Sequence, residues 1–99
     1  MITLYGQPSC QPCRLIRRQL DKAGVPYEYV DLSRRPDKAK RLREQGLQST
    51  PILETSTEQF TGYQPDRIKK AITQAQQELL LQQRQVNRSA SHQRHRPEV

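Results

Sequence analysis

Ile2-Thr3-Leu4-Tyr5-Gly6-Gln7-Pro8-Ser9-Cys10-Gln11-Pro12-Cys13 is the stretch that decides the fold. Ile2 and Leu4 alternate with Thr3 and Tyr5, the period-two pattern of a short strand with one buried face. Gly6 to Ser9 break the pattern. From Gln11 to Ala23 the side chains Cys13, Ile16, Leu20 and Ala23 recur at intervals of three and four, one face of a helix. Arg14, Arg17, Arg18 and Lys22 fall mostly elsewhere. Ser9 or Cys10 takes the N-cap, Pro12 fits the first turn where a missing N–H costs nothing, and Gly24 ends the helix. A pair of cysteines therefore stands where a strand hands over to a helix.

That position gives the pair its chemistry. Deprotonating a thiol creates a negative charge, and the first turn of a helix offers free N–H groups and the positive end of the dipole. Cys10, at or just before that turn, is expected to have its pKa lowered toward ~7 or below. Cys13 lies one turn further on, nearer the core face. The asymmetry predicts Cys10 as the nucleophile that attacks a disulfide and Cys13 as the thiol that resolves the mixed disulfide. Pro12 between them stiffens the loop and has no N–H to donate. Other readings stand beside this one. A structural disulfide is disfavoured in a reducing compartment, and two inert thiols are uncommon at such a junction. Cys10, Cys13, His92 and His95 formally give a Cys2His2 zinc set, but 78 residues separate Cys13 from His92. Compact zinc modules use far shorter separations, so no metal site is expected.

Beyond Gly24 and Pro26, Tyr27 to Asp31 is aromatic and β-branched, a second strand. Pro36 opens a second helix and Gly46 closes it. Ala39 and Leu42 are its main apolar anchors, so it should be the most exposed of the helices. Thr50 to Glu54 and Glu58 to Thr61 are short runs joined by Thr55-Ser56-Thr57, a hairpin. Gly62 turns the chain, and Pro65-Asp66 start a third helix whose Ile68, Ala71, Ile72, Ala75 and Leu79 form one stripe, with good helix formers as far as Val86. The order β-α-β-α-β-β-α predicts an α/β fold: a parallel, right-handed crossover, then an antiparallel edge, in a four-stranded mixed sheet flanked by three helices.

Length and composition set the limits. Ninety-nine residues make one domain, and 32% apolar content without Trp is lean. Between Gln82 and Val99 the only apolar side chains are Val86, Ala90 and Val99. The expected division is a two-layer folded domain at 1–81 and a basic, disordered tail at 82–99. The formal charge is +7, shared as +3 in that tail and +4 in the body. The basic residues are interspersed with acids and no aromatic-rich RNA-reading signature occurs. A solvated basic surface is expected first and a docking face for an acidic partner second, with no specific nucleic acid. The N-terminus has no signal-peptide pattern, and the longest apolar run, Leu79-Leu80-Leu81, is far too short for a membrane. A cytoplasmic monomer is the expectation.

Three blocks in this order resemble a known family: Ile2 to Tyr5 with Pro8-Ser9-Cys10-Gln11-Pro12-Cys13, then Ser49-Thr50-Pro51, then Phe60-Thr61-Gly62-Tyr63-Gln64-Pro65-Asp66. Over about residues 1–75 the chain looks like the thioredoxin superfamily and, more narrowly, the NrdH-redoxins, glutaredoxin-sized electron donors to class Ib ribonucleotide reductase. The resemblance implies a thioredoxin fold in which Pro51 is cis and faces the dithiol, while Thr50 offers backbone groups to the substrate chain. It implies docking through Pro12, Gly62 and Tyr63. Glutathione-using glutaredoxins usually place a Gly-Gly and acidic pair before the last helix and a Lys at the place of Gln7; this chain has Gly62-Tyr63-Gln64-Pro65-Asp66 and Gln7. The implied partners are the ribonucleotide reductase large subunit and thioredoxin reductase, with NADPH as ultimate donor. No cofactor is bound beyond the redox-active disulfide Cys10–Cys13. Gln11-Pro12 departs from the family's frequent Val-Gln, and the basic extension after Leu81 is longer than usual. Two alternatives remain: a glutaredoxin- or mycoredoxin-type enzyme using a low-molecular-weight thiol, and a regulatory binder similar to the Spx and arsenate reductase family. The latter are longer and usually carry a basic anion-binding feature where this chain has Gln48-Ser49-Thr50-Pro51.

Overall fold

The alternation at the N-terminus becomes β1 (Ile2–Gly6) in a computed structural model that describes residues 1–94 of the chain. Its neighbour in parallel is β2 (Tyr27–Asp31), with Leu4 opposite Tyr29 and Gly6 opposite Asp31. On its other side β1 runs antiparallel to β3 (Ile52–Glu54), which pairs antiparallel with β4 (Gln59–Thr61). The sheet order is therefore β2-β1-β3-β4, the mixed four-stranded sheet of a thioredoxin fold. The parallel step is made by α1 (Gln11–Ala23), which begins and ends where its residues dictate. Cys10 sits at the N-cap in extended conformation, and Gly24 closes the C-terminus at φ +71°, where its N–H donates to the Asp21 carbonyl at 3.1 Å.

The core has two parts, one on each face of the sheet. Ile2, Leu4, Leu53 and Phe60 face α1 (Ile16, Leu20) and α3 (Pro65–Arg94; Ile68, Ala71, Ala75). Val30, Ile52 and Leu32 face α2 (Pro36–Glu44) through Leu42, with Ala39, Tyr5 and Leu47 around them. The expected two layers are thus three. Ile52 and Leu53 are adjacent in β3 and each 1% exposed, which requires cover on both faces. Two anchors on α2 suffice for that cover because the second face is small.

Two further departures have local causes. The link from β2 to α2 contains a short 3₁₀ turn at Leu32–Arg34, held by Asp31, whose Oδ1 accepts from the Ser33 N–H at 2.9 Å and Ser33 Oγ at 2.6 Å. And α3 continues to Arg94, past the end expected near Val86. Residues 82–94 contain no Gly or Pro and are rich in Gln and Arg, which favour the helix. Leu80 and Leu81 are already 57% and 55% exposed, so the helix has left the body by this point. Residues 95–99 of the expected tail lie outside the described residues. Among the described residues no helix is long and apolar enough to cross a membrane.

Candidate active site

The strand-to-helix junction is built by the backbone of residues 6–14. The Cys10 N–H donates to the Gln7 carbonyl at 3.1 Å, and the Arg14 N–H to the Cys10 carbonyl at 3.3 Å. Arg14 also reaches back with its guanidinium to the Pro8 carbonyl at 3.0 Å, fastening the loop to the first turn of α1. Cys10 and Cys13 are joined as a disulfide, their Cα atoms 5.2 Å apart. Cys10 Sγ accepts the Cys13 N–H at 3.1 Å, so this sulfur sits on the free N–H end of the helix. No acidic side chain occupies the first turn of α1, which leaves the positive end of the dipole uncompensated. Cys10 is half-buried and Cys13 is 1% exposed. Only one of the two sulfurs is therefore open to an incoming partner.

The two flanks of this junction come from distant parts of the chain. The Thr50–Pro51 peptide bond is cis, as the resemblance implies, and Pro51 is fully buried. Thr50 and Gln7 line one groove together with Leu47, Gln48 and Arg43. The Pro51 carbonyl accepts the Gly62 N–H at 2.8 Å, which ties that loop to the turn before α3. Gly62 itself has φ +84°, a conformation favouring glycine, and Gln64 closes the turn by donating to the Thr61 carbonyl at 2.7 Å. Tyr63 then stands opposite α1, where it lines a second groove of about 440 Å³ with Pro12, Gln11, Leu15, Arg14 and Arg18. Its hydroxyl accepts from Gln19 Nε2 at 2.8 Å. Pro12 and Tyr63 thus share one groove with Gln11, the chain neighbour of Cys10, while Thr50 shares the other with Gln7, whose carbonyl accepts the Cys10 N–H. A partly exposed disulfide at this junction is suited to thiol–disulfide exchange.

Sequence reasoning missed two neighbours of the disulfide. The point that a Cβ on Gly6 would occupy lies 3.0 Å from Cys13 Sγ and 2.8 Å from the Tyr29 hydroxyl. Strand parity was the available signal, since Leu4 and Gly6 share the face that Leu4's partner Tyr29 also joins. The largest titration shift lies outside the site. Tyr5, whose hydroxyl donates to Glu54 at 2.9 Å, is pushed up to about 12 by burial and by the Glu54 carboxylate. Among the described residues no group of three or more His, Cys, Asp and Glu is placed to hold a metal, and His95 lies outside them.

The glutaredoxin family model matches residues 2–58. The chain is 43% identical over 74 residues to the gene 56 protein of Mycobacterium phage D29, covering 72% of this chain and 81% of that one. It is 30% identical over 69 residues to the glutaredoxin-like protein NrdH of Salmonella typhimurium, covering 70% and 85% respectively. Among solved structures, the NrdH-redoxin of Escherichia coli superposes with a TM-score of 0.67 at 29% identity, over 70% of this chain and 91% of that one.

Proposed function

The chain belongs to the glutaredoxin family, among its NrdH-redoxins, and is a thiol–disulfide oxidoreductase; from that premise we propose that it carries electrons from thioredoxin reductase to a ribonucleotide reductase of class Ib type. Cys10 is the attacking thiolate, favoured by the helix N-terminus and by the N–H of Cys13. It bonds to one sulfur of the partner disulfide while the other leaves as thiolate. Cys13 then attacks Cys10 Sγ, the partner's second sulfur leaves, and the Cys10–Cys13 disulfide re-forms. Reduction by the flavoenzyme, with NADPH as ultimate donor, resets the pair.

The observation that carries this reading is a disulfide at the N-terminus of α1 in which Cys10 alone is partly exposed. Its chain neighbour Gln11 lines one groove, and Gln7, whose carbonyl accepts the Cys10 N–H, lines another. Thr50 and Pro51 accept the partner's backbone on one side, and Pro12, Gly62 and Tyr63 receive its side chains on the other. The E. coli relative is described as having a thioredoxin-like activity profile within a glutaredoxin-like protein, which supports a protein disulfide as the substrate. The match to the glutaredoxin family model favours a second reading, in which a low-molecular-weight thiol is the reductant. In either reading the protein acts as a cytoplasmic monomer, with residues 1–81 as the working domain.

Ribonucleotide reductase turnover driven by NADPH, thioredoxin reductase and this protein tests the proposal. Turnover should be lost in Cys10→Ser, while Cys13→Ser should accumulate a mixed disulfide with the large subunit. Absence of turnover with the intact protein, or undiminished turnover with Cys10→Ser, would sink it.

A further inference from the structure

Three of the four tyrosine hydroxyls have a protein hydrogen-bond partner: Tyr5 with Glu54, Tyr27 with Asp21, Tyr63 with Gln19. The hydroxyl of Tyr29 has none among the described residues, and it is the one beside the dithiol. It and Cys13 Sγ lie 2.8 and 3.0 Å from the same point above Gly6, so they can be no farther apart than those two radii together allow. Gly6 creates that space. Any side chain there would displace the phenol or the sulfur. The ring is held in place by the Arg17 guanidinium, 4.2 Å from its centroid, and by packing against the core between α1 and the sheet.

Cys13 needs such a neighbour once the disulfide opens. Its side chain is 1% exposed, and burial disfavours a thiolate that nothing solvates. In the disulfide the two groups are adjacent without bonding. When the S–S bond breaks, Cys13 Sγ keeps the electron pair, loses its tether to Cys10 and is free to turn toward the phenol. We propose that Tyr29 is a positioning residue for the resolving thiol, donating a hydrogen bond to the Cys13 thiolate in the space that Gly6 leaves. The phenol keeps its proton throughout. In the resolving step the Cys13 electron pair forms the bond to Cys10 Sγ, the Cys10–partner bond breaks, and the partner's sulfur leaves with the electron pair of that broken bond and takes a proton from water. This inference rests on the assignment of Cys10 as attacker and Cys13 as resolver.

The charged and titratable groups around the pair are Cys10 on the loop and Arg17 from α1 on the ring. Beyond Arg17 is the Tyr27 hydroxyl of β2, which donates to Asp21 of α1 at 2.8 Å. From β1 come Leu4 and Gly6, which carry no charge.

Stopped-flow reaction of the reduced protein with 5,5′-dithiobis(2-nitrobenzoate) separates the steps, because attack by Cys10 releases one chromophore and resolution by Cys13 releases the second. Tyr29→Phe keeps the ring and its Arg17 contact. It should leave the first phase and the melting temperature unchanged, slow the second phase about tenfold at pH 7, and move its pH midpoint up by about one unit. Gly6→Ala should slow the same phase by displacing the phenol, and the double variant should be no slower than Tyr29→Phe alone. A second phase in Tyr29→Phe that keeps the parent's rate and pH midpoint overturns the role of Tyr29 alone. A parent protein whose first phase survives Cys10→Ser overturns the assignment of the two cysteines beneath it.

Discussion

Placing a carboxylate at residue 11 should stabilise the disulfide form and weaken the nucleophile at the same time. Gln11 is exposed, sits at the first position of α1 and follows Cys10 directly; the first turn holds no acid. In Gln11→Glu the new charge meets the positive end of the helix, worth ~0.5 kcal/mol, which raises the melting temperature of the oxidised protein by about 2–4 °C. After reduction the same carboxylate faces the Cys10 thiolate. At roughly 7 Å and an effective dielectric near 60, the repulsion is about 0.8 kcal/mol, raising the Cys10 pKa by about 0.6 of a unit. Thiolate absorbance at 240 nm against pH, in a Cys13→Ser background so that one thiol titrates, reads the shift. At 1 M salt, where screening acts over about 3 Å, most of it should vanish, and Gln11→Lys should move the pKa the other way. A Cys10 pKa unchanged or lowered in Gln11→Glu would refute the reasoning, as would a parent value at or above the free-thiol ~8.5.

Other expectations concern the flanks, the back of the sheet and the extension. Tyr63→Ala should raise KM for thioredoxin reductase by about five- to thirtyfold, while the rate with a small aromatic disulfide stays within about twofold. The highest tyrosine titration step, near pH 12, belongs to Tyr5 and should disappear in Tyr5→Phe. Because the fold keeps this phenol protonated above its ordinary 10.0, stability should be unaffected below pH 10 and fall as pH climbs from 10 to about 12. Denaturant unfolding across that window should show the fall in the parent and less of it in the variant. Deleting residues 82–99 should leave reductase turnover unchanged and lower the melting temperature by no more than ~3 °C, since the last core residue among those whose burial is described is Ala75.

Much of this was legible because the sequence marks its own turning points. Gly24, Pro36, Gly46 and Pro65 delimit helices where the backbone requires them, and the alternation at Ile2 and Leu4 places β1 in register with the core. Cys10 could be read as an N-cap because a break precedes it and a helical stripe follows. The third layer was harder to see. Its evidence is Ile52 next to Leu53, a two-residue apolar run that short strands share with many loops. The grooves bring together residues dozens of positions apart, Thr50 lining one with Gln7 and Tyr63 the other with Pro12, which no local pattern encodes. Tyr29 was hidden for another reason. A tyrosine in a strand reads as packing until the absence of a side chain at Gly6 shows what stands next to it.

What reduces the Cys10–Cys13 disulfide decides the direction of electron flow through this protein, and direct comparison of two reductants measures it. With NADPH and catalytic thioredoxin reductase, NADPH consumption should be rapid, saturable in this protein and absent in Cys10→Ser, while millimolar glutathione alone leaves most of the disulfide intact over the same interval. Rapid reduction by glutathione, with no NADPH consumed through thioredoxin reductase, would contradict electron flow from that enzyme.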